Sequence, residues 1–302
     1  MDISITNVQL DLGAGRRGTD MGPSAIHVAG LVPQLRKLGH TVVDVVTFGA
    51  ESTFENADAG DPNARFLPQI HQVCARVADR VEADALAGRF PLVLGGDHAQ
   101  AIGTVSGLAR AWRRREGRVG LLWIDAHTDM NTPDTTQSGN IHGMPLAALL
   151  GYGPSELVGI AGDEPALRPE HVAILGVRDV DRSETAVVHD ARVRVYTMSE
   201  LDERGTAVCV REALEHVSKG TVGVHLSFDL DGVDPQDAPG VGTPVPGGLT
   251  VRESHLVCEA AARSGRLLGM EMVELNPTLD VRNKTGELAV WLILSALGKT
   301  IL

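Results

Sequence analysis

The chain has 302 residues, 43% of them hydrophobic, with 39 acidic against 27 basic side chains and a formal net charge of -12. That length and apolar share suit a single domain over 1–302 with one sizeable core. The acidic balance argues against nucleic acid as a main partner. Three scattered cysteines with no C-x-x-C pair exclude a disulfide frame or a thiolate zinc site. No apolar run reaches the length of a membrane span, and Met1-Asp-Ile-Ser is not a secretory leader, so a soluble cytoplasmic protein is expected.

In chain order, Ile3 to Leu10 reads as a strand and Pro23 to Leu38 as a helix with proline in its first turn. Thr41 to Phe48 is a second strand, and Ala64 to Ala87 has helical apolar spacing. A strand around Leu92, a helix from Ala99 to Arg115 and a strand around Leu121 follow. Thr128 to Gly143 reads as a long polar loop of the kind that carries function. Further strands are expected at Val172 to Val177, Val193 to Tyr196, around Val224 and from Leu267 to Glu274. Helices are expected at Thr206 to Ser218, Thr250 to Arg263 and Gly286 to Lys299, and a second loop at Asp234 to Gly248. The alternation implies a mostly parallel α/β sheet with helices on both faces, with an eight-fold barrel as the rival architecture.

Three of the apolar runs end in clusters of Asp and His: Asp97-His98, then Asp125-Ala-His127-Thr-Asp129, then Asp229-Leu-Asp231. Carboxyl ends of parallel strands are where an open α/β sheet gathers its active site. Two imidazoles and at least four carboxylates meeting in one cleft would repel or stay protonated without a cation. The clusters therefore point to divalent metal, with more than one ion. Residues two apart in a strand face the same way, so Asp229 and Asp231 share a side, as do Asp125, His127 and Asp129. Oxygen-rich ligation without thiolate favours manganese or a similar hard ion over zinc. Water between two such ions loses a proton near neutral pH, which suits hydrolysis.

The strings GGDHA (95–99), DAHTDMN (125–131), SGNIHG (138–143), SFDLDGVDP (227–235), GTPVPGG (242–248) and VELNP (273–277) together resemble the signature set of the ureohydrolase family, and within it the bacterial arginases. The likeness runs from GRRGTDMGPSAI (15–26) to the last helix; Ala99 stands where the first string usually continues with Ser. It implies a parallel eight-stranded fold, two Mn2+ ions per subunit, hydrolysis of L-arginine to L-ornithine and urea, and a homo-oligomer, trimer or hexamer.

Carried over by motif, one ion is held by His98, Asp125, Asp129 and Asp229, the other by Asp125, His127, Asp229 and Asp231. Asp125 and Asp229 bridge, and the hydroxide between the ions attacks the guanidinium carbon. Asp129 passes a proton to the departing amine. Glu274 faces and orients the planar guanidinium, and His142 resembles a loop proton shuttle. Asn131 and Ser138 match residues that hold the α-carboxylate, with Thr136 and Asn140 nearby through water. Asp181, with Glu184 behind it, matches the partner of the α-amino group, and Thr243 lies near the guanidinium region.

Other readings compete with this one. Another ureohydrolase, such as an agmatinase or guanidinobutyrase, would share the metal site, but agmatine lacks the carboxylate that Asn131 and Ser138 serve. A metal-bound regulatory subunit without catalysis would have no use for His142 and Glu274. The Gly13-Ala-Gly15-Arg-Arg-Gly18 run fits a dinucleotide fingerprint only weakly, because the helix is delayed past Pro23. His225 alternates inward with Ser227 and Asp229 and reads as a hydrogen-bonded core histidine. Glu271 sits close to Glu274, and only the Asn-Pro that follows selects the latter.

Overall fold

The structure, a computed structural model, describes residues 1–50 and 58–302. Eight strands form one sheet: β1 (Asp2–Gln9), β2 (Thr41–Gly49), β3 (Phe90–Leu94), β4 (Val119–Ile124), β5 (Val172–Val177), β6 (Arg194–Thr197), β7 (Gly223–Asp229) and β8 (Leu267–Val273). Their order is β2-β1-β3-β8-β7-β4-β5-β6, and every pairing is parallel. The sheet is open, with edges at β2 and β6, so the barrel is excluded. β3, β4, β5 and β7 are buried along their whole length, which is why they read as unbroken apolar runs. Edge strand β2 instead alternates between exposed and half-buried positions.

The helices are α1 (Gly22–Val28), α2 (Leu31–Lys37), α3 (Leu67–Leu86), α4 (Ala101–Arg113), α5 (Pro145–Leu149), α6 (Ser155–Val158), α7 (Glu184–Ala191), α8 (Met198–Arg204), α9 (Thr206–Ser218), α10 (Val251–Ser264) and α11 (Lys284–Ala296). They cover both faces. Along β4, Leu122 and Ile124 join a core with Ala213 of α9, Val257 of α10 and Ile293 of α11. Leu121 and Trp123, pointing the other way, pack with Val105 of α4 and Leu146 of α5. Helix α3 lies tight against α4 because Gly103 and Gly107 have no side chain; a Cβ at either would stand 2.5 Å from a backbone oxygen, of Cys74 and Ala78 respectively.

The single helix expected from Pro23 to Leu38 is two, because Gly30 between them takes a left-handed turn at φ 86. The short helices α5 to α8 carry too few turns to show a periodicity and escaped the sequence reading. The loops at 128–143 and 234–248 are present and lie over the same end of the sheet. The chain fills β1 to β3 toward one edge and β4 to β6 toward the other, then returns with β7 and β8 to the middle. The carboxyl ends of β3, β8, β7, β4 and β5 thus stand side by side where the strand order reverses, the place where open α/β sheets bind ligands.

Candidate active site

His98 follows β3 in a turn fastened by Asp97, whose carboxylate accepts from Ala99 N at 3.1 Å and from Gly13 N at 2.7 Å. The imidazole is stacked on Trp123, with ring centroids 4.0 Å apart and planes 10° from parallel. Its Nε2 lies 2.9 Å from Ser227 Oγ. Nδ1 therefore points into a ring of carboxylates: Asp229 Oδ2 at 3.0 Å, Asp125 Oδ2 at 3.2 Å and Asp129 Oδ2 at 3.2 Å. Although it is fully buried and this close to all three, it makes no aligned hydrogen bond to any of them.

Asp125 is shared with a second group. Its Oδ2 takes a bond of 2.9 Å from Trp123 Nε1, while Oδ1 faces the other way, 3.3 Å from His127 Nδ1. His127 Nδ1 also lies 3.0 Å from Asp231 Oδ2, which Thr243 Oγ1 reaches at 3.0 Å. Asp231 Oδ1 accepts from Ala126 N at 3.1 Å, so the ends of β4 and β7 are tied beside these side chains. His98, Asp125 and Asp229 form one cluster and Asp125, His127 and Asp231 another, each with donor atoms within 4.8 Å of one another.

Without cations these groups perturb one another strongly. Burial, reinforced by Asp125, raises the Asp129 carboxyl to about 7. Burial and neighbouring carboxylates likewise push Asp229 well up and Asp231 up. Burial works against the charged form of His98 and His127, yet the carboxylates around them raise both. Four carboxylates against two imidazoles leave an excess of negative charge in a dry pocket. Two divalent cations would balance four carboxylates, and the unaligned His98 Nδ1 has the orientation of a lone pair offered to an ion. The donor set fits a binuclear metal centre.

Glu274 and His142 stand beside this centre. Glu274 Oε1 accepts from His98 N at 2.9 Å and lies 3.0 Å from His142 Nδ1; Oε2 is buried without a hydrogen-bond partner among the described residues. Burial would raise the Glu274 pKa, but His142, together with the backbone N–H and the imidazole of His98, holds the carboxylate below its usual range. Burial would lower that of His142, but Glu274 drives it up to about 9. Two of the site's carboxylates sit on left-handed backbone, Asp129 at φ 52 and Glu274 at φ 65, a strain that non-glycine residues accept mainly at functional positions.

A cleft of about 220 Å³ opens above His127, Asp129, Asp229 and Asp231 and runs outward past His142 and Thr243. Its outer end is lined by Asn131, Thr136, Ser138, Asn140, Asp181 and Glu184. Asn131 Nδ2 donates to Asp181 Oδ2 at 3.1 Å and to Glu184 Oε2 at 3.3 Å. Glu184 also accepts from Met130 N at 2.7 Å and from Thr128 Oγ1, so it braces the turn that carries Asp129 and Asn131. Thr136 Oγ1 and Ser138 Oγ accept from the amides of Gly139 and Asn140, at 3.0 and 3.2 Å.

Every residue given a metal, catalytic or substrate role in the sequence thus meets at one end of the sheet. Glu271 does not: it is fully buried below, its Oε1 3.4 Å from His225 Nε2 and its Oε2 3.4 Å from Gln100 Nε2. His225 is a core residue, though at that distance it faces a carboxylate without an aligned hydrogen bond. The glycine run at 13–18 forms no phosphate cradle, since the amides of Gly13 and Gly18 are taken by Asp97 and Asp11 and helix α1 begins only at Gly22. Sequence reasoning missed Trp123 and Ser227 as supports of His98, and Asp179 as a wall of the cleft. Asp179 stands two residues before Asp181, a spacing that could have flagged it.

Comparison with known proteins agrees with this geometry. The Arginase family model matches residues 1–298. The chain is 45% identical to the arginase of Bacillus caldovelox over 300 residues, 99% of each protein. It is 46% identical to that of Brevibacillus brevis over 301 residues, covering 100% of this chain and 99% of the relative. The crystal structure of arginase from Bacillus cereus superposes with a TM-score of 0.90 at 45% identity, covering 100% of this chain and 99% of that one. With the family model matched over 1–298, relatives about as long as this chain at 45 and 46% identity and the same fold, the chain belongs to the arginase family.

Proposed function

We propose that the protein is an arginase that hydrolyses L-arginine to L-ornithine and urea at a binuclear manganese centre. One observation carries the reading. Two imidazole–carboxylate clusters sharing Asp125 lie at the floor of a cleft whose far end joins Asn131 to Asp181. The floor suits hydrolysis, and the far end suits an amino-acid head group.

His98, Asp125, Asp129 and Asp229 would hold one ion, and Asp125, His127, Asp229 and Asp231 the other. The assignment of Asp229 to both ions rests on the resemblance and on its place in both the His98 cluster and the cleft wall. When bound, the ions lower the pKa of water between them toward roughly 7 and so supply a nucleophile at neutral pH. Manganese suits a set of two nitrogens and four carboxylates better than zinc does.

The chain's own residues do the rest. Asp181 receives the α-amino group, and Asn131 and Ser138 the α-carboxylate, with Thr136 and Asn140 reaching it through water; this fixes the substrate's length against the floor. Glu274 offers its buried carboxylate to the guanidinium, matching that planar cation and turning its carbon toward the floor. Thr243 closes the wall beside it. Asp129 takes up a proton at its carboxylate and delivers it to the departing nitrogen, because an unprotonated amine leaves badly. His142, half-buried between Glu274 and the cleft, exchanges protons with the outside. Among the described residues no helix is long and apolar enough to cross a membrane. A cytoplasmic homo-oligomer, trimer or hexamer, is proposed from the resemblance.

The test is direct. Protein stripped with chelator and reloaded with manganese should bind two ions per subunit and release urea from arginine. Binding of a single ion, or turnover with the chelator still in excess, would overturn the metal assignment.

A further inference from the structure

Arg178 directly follows β5 and precedes the Asp179 and Asp181 of the cleft wall, yet its side chain turns away from the cleft. Among the described residues its guanidinium forms no ion pair with a carboxylate. It donates instead to backbone carbonyls: Nη2 to Asp231 O at 2.7 Å and to Val245 O at 2.7 Å, Nη1 to Gly232 O at 3.2 Å and Gly176 O at 3.2 Å, and Nε to Val245 O at 3.0 Å. Nη2 also lies 3.4 Å from Val233 O. These carbonyls belong to the end of β5, to the turn bearing Asp231, and to the 242–248 loop bearing Thr243. Thr243 and Asp231 are themselves bonded at 3.0 Å. The backbone of Arg178 joins a third strand end: its N–H and that of Asp179 both donate to Ala126 O, at 2.9 and 3.1 Å, and Ala126 N in turn donates to Asp231 Oδ1. Gly248 leaves room for this arrangement, since a Cβ there would stand 2.6 Å from Arg178 Nη2.

A guanidinium suits this task. Its five donors lie in a rigid plane, and it stays charged where an ammonium would give up its proton. No other side-chain type reaches three separate backbone segments at once and leaves every carboxylate of the neighbouring centre free.

We propose that Arg178 is a positioning residue that locks the turn of Asp231 and the loop of Thr243 onto the end of β5, and so builds the second metal position from Asp125, His127 and Asp231. The proposal rests on the binuclear reading above. The first position, around His98, has its own supports in Trp123 and Ser227 and does not depend on Arg178.

The test compares the full-length parent with Arg178→Met and Arg178→Lys. Each is stripped with chelator and titrated calorimetrically with manganese, then assayed on arginine. In Arg178→Met the second ion should bind at least about tenfold more weakly, as loss of an outer support of a metal ligand does, with the first ion within about threefold of the parent. Turnover should fall by about 100-fold while KM stays within about threefold, because Asp181 and Asn131 are untouched. Arg178→Lys keeps an amine donor but reaches fewer carbonyls, so it should show the same selective loss in smaller degree; it carries the test if the Met variant does not fold. Parent-like binding of both ions, equal weakening of both, or a loss confined to KM would overturn the proposal. A parent that bound fewer than two ions would overturn the metal reading beneath it.

Discussion

Asn131 and Asp181 meet across the outer end of the cleft, Nδ2 to Oδ2 at 3.1 Å, although they come from different loops. The contact leaves the second oxygen of an exposed carboxylate open to the cleft and aims the Asn131 amide along the same wall. The backbone of Asp181 is separately engaged, its carbonyl accepting from Glu184 N at 3.0 Å at the start of α7. Removing the side chain should therefore leave the turn in place. Asp181→Ala is expected to raise KM for arginine by roughly 10- to 100-fold, the worth of one charged hydrogen bond, with manganese content unchanged. Metal analysis alongside steady-state kinetics checks this, and loss of metal would mean that Asp181 serves the centre instead.

Trp123 supports two of the proposed metal ligands with one side chain, through the stack on His98 and the bond to Asp125 Oδ2 at 2.9 Å. Trp123→Phe keeps a ring under His98 and deletes the N–H. Ser227→Ala does the converse, leaving Asp125 fixed and freeing His98 Nε2. Each variant should weaken manganese binding by about tenfold or more. The double variant should lose less than the product of the two if both act by orienting ligands around the same ion, since coupled sites are not additive. Calorimetric titration of stripped protein gives all three numbers.

Metal-free protein should lose stability as pH rises. Asp129 is held at about 7 in the fold, above its unfolded value, so folding takes up a proton that becomes harder to keep as pH climbs through that range. His142 is held at about 9, and the stability it contributes is fully present below about 6.5 and lost as pH rises through 9. Asp125 and Glu274, both lowered, are ionised in folded and unfolded chain alike above neutrality and do not oppose this. Melting temperature in excess chelator should thus fall between pH 6.5 and 9, and manganese should raise it by more at the upper end. A metal-free melting temperature that is flat or rising over that range would contradict the charge balance described here.

Glu274 reaches His98 N and His142 Nδ1 through a single oxygen and leaves the other without a hydrogen-bond partner among the described residues. Glu274→Gln is nearly isosteric but loses the charge proposed to face the guanidinium. Turnover efficiency on arginine is expected to drop by at least about 100-fold with both ions retained. Retained efficiency would move the guanidinium contact elsewhere in the cleft.

Much of this site was legible in the sequence, for a physical reason. Metal ligands gather at strand ends, and strands buried on both faces announce themselves as apolar runs, so His98, Asp125, His127, Asp229 and Asp231 stood out by position. Asn131, Ser138, Asp181 and Glu274 did not; a polar loop has no period, and only the likeness to known motifs picked them out. Arg178, Trp123 and Ser227 were invisible because their roles depend on which strand lies beside which. The order β3-β8-β7-β4-β5 is a property of the folded sheet, and no spacing along the chain encodes it. The broken helix at Gly30 was readable in principle, since a glycine within a helical run marks a weak point.

Urea release by the manganese-loaded protein, measured on L-arginine and on agmatine under the same conditions, tests the central claim most directly. Agmatine presents the same guanidinium to the floor and keeps an amine for Asp181, but it has no carboxylate for Asn131 and Ser138. The anchored cleft predicts kcat/KM at least about 100-fold higher for arginine, because polar anchors left unpaired discriminate sharply. Equal turnover of the two, or a preference for agmatine, would contradict it.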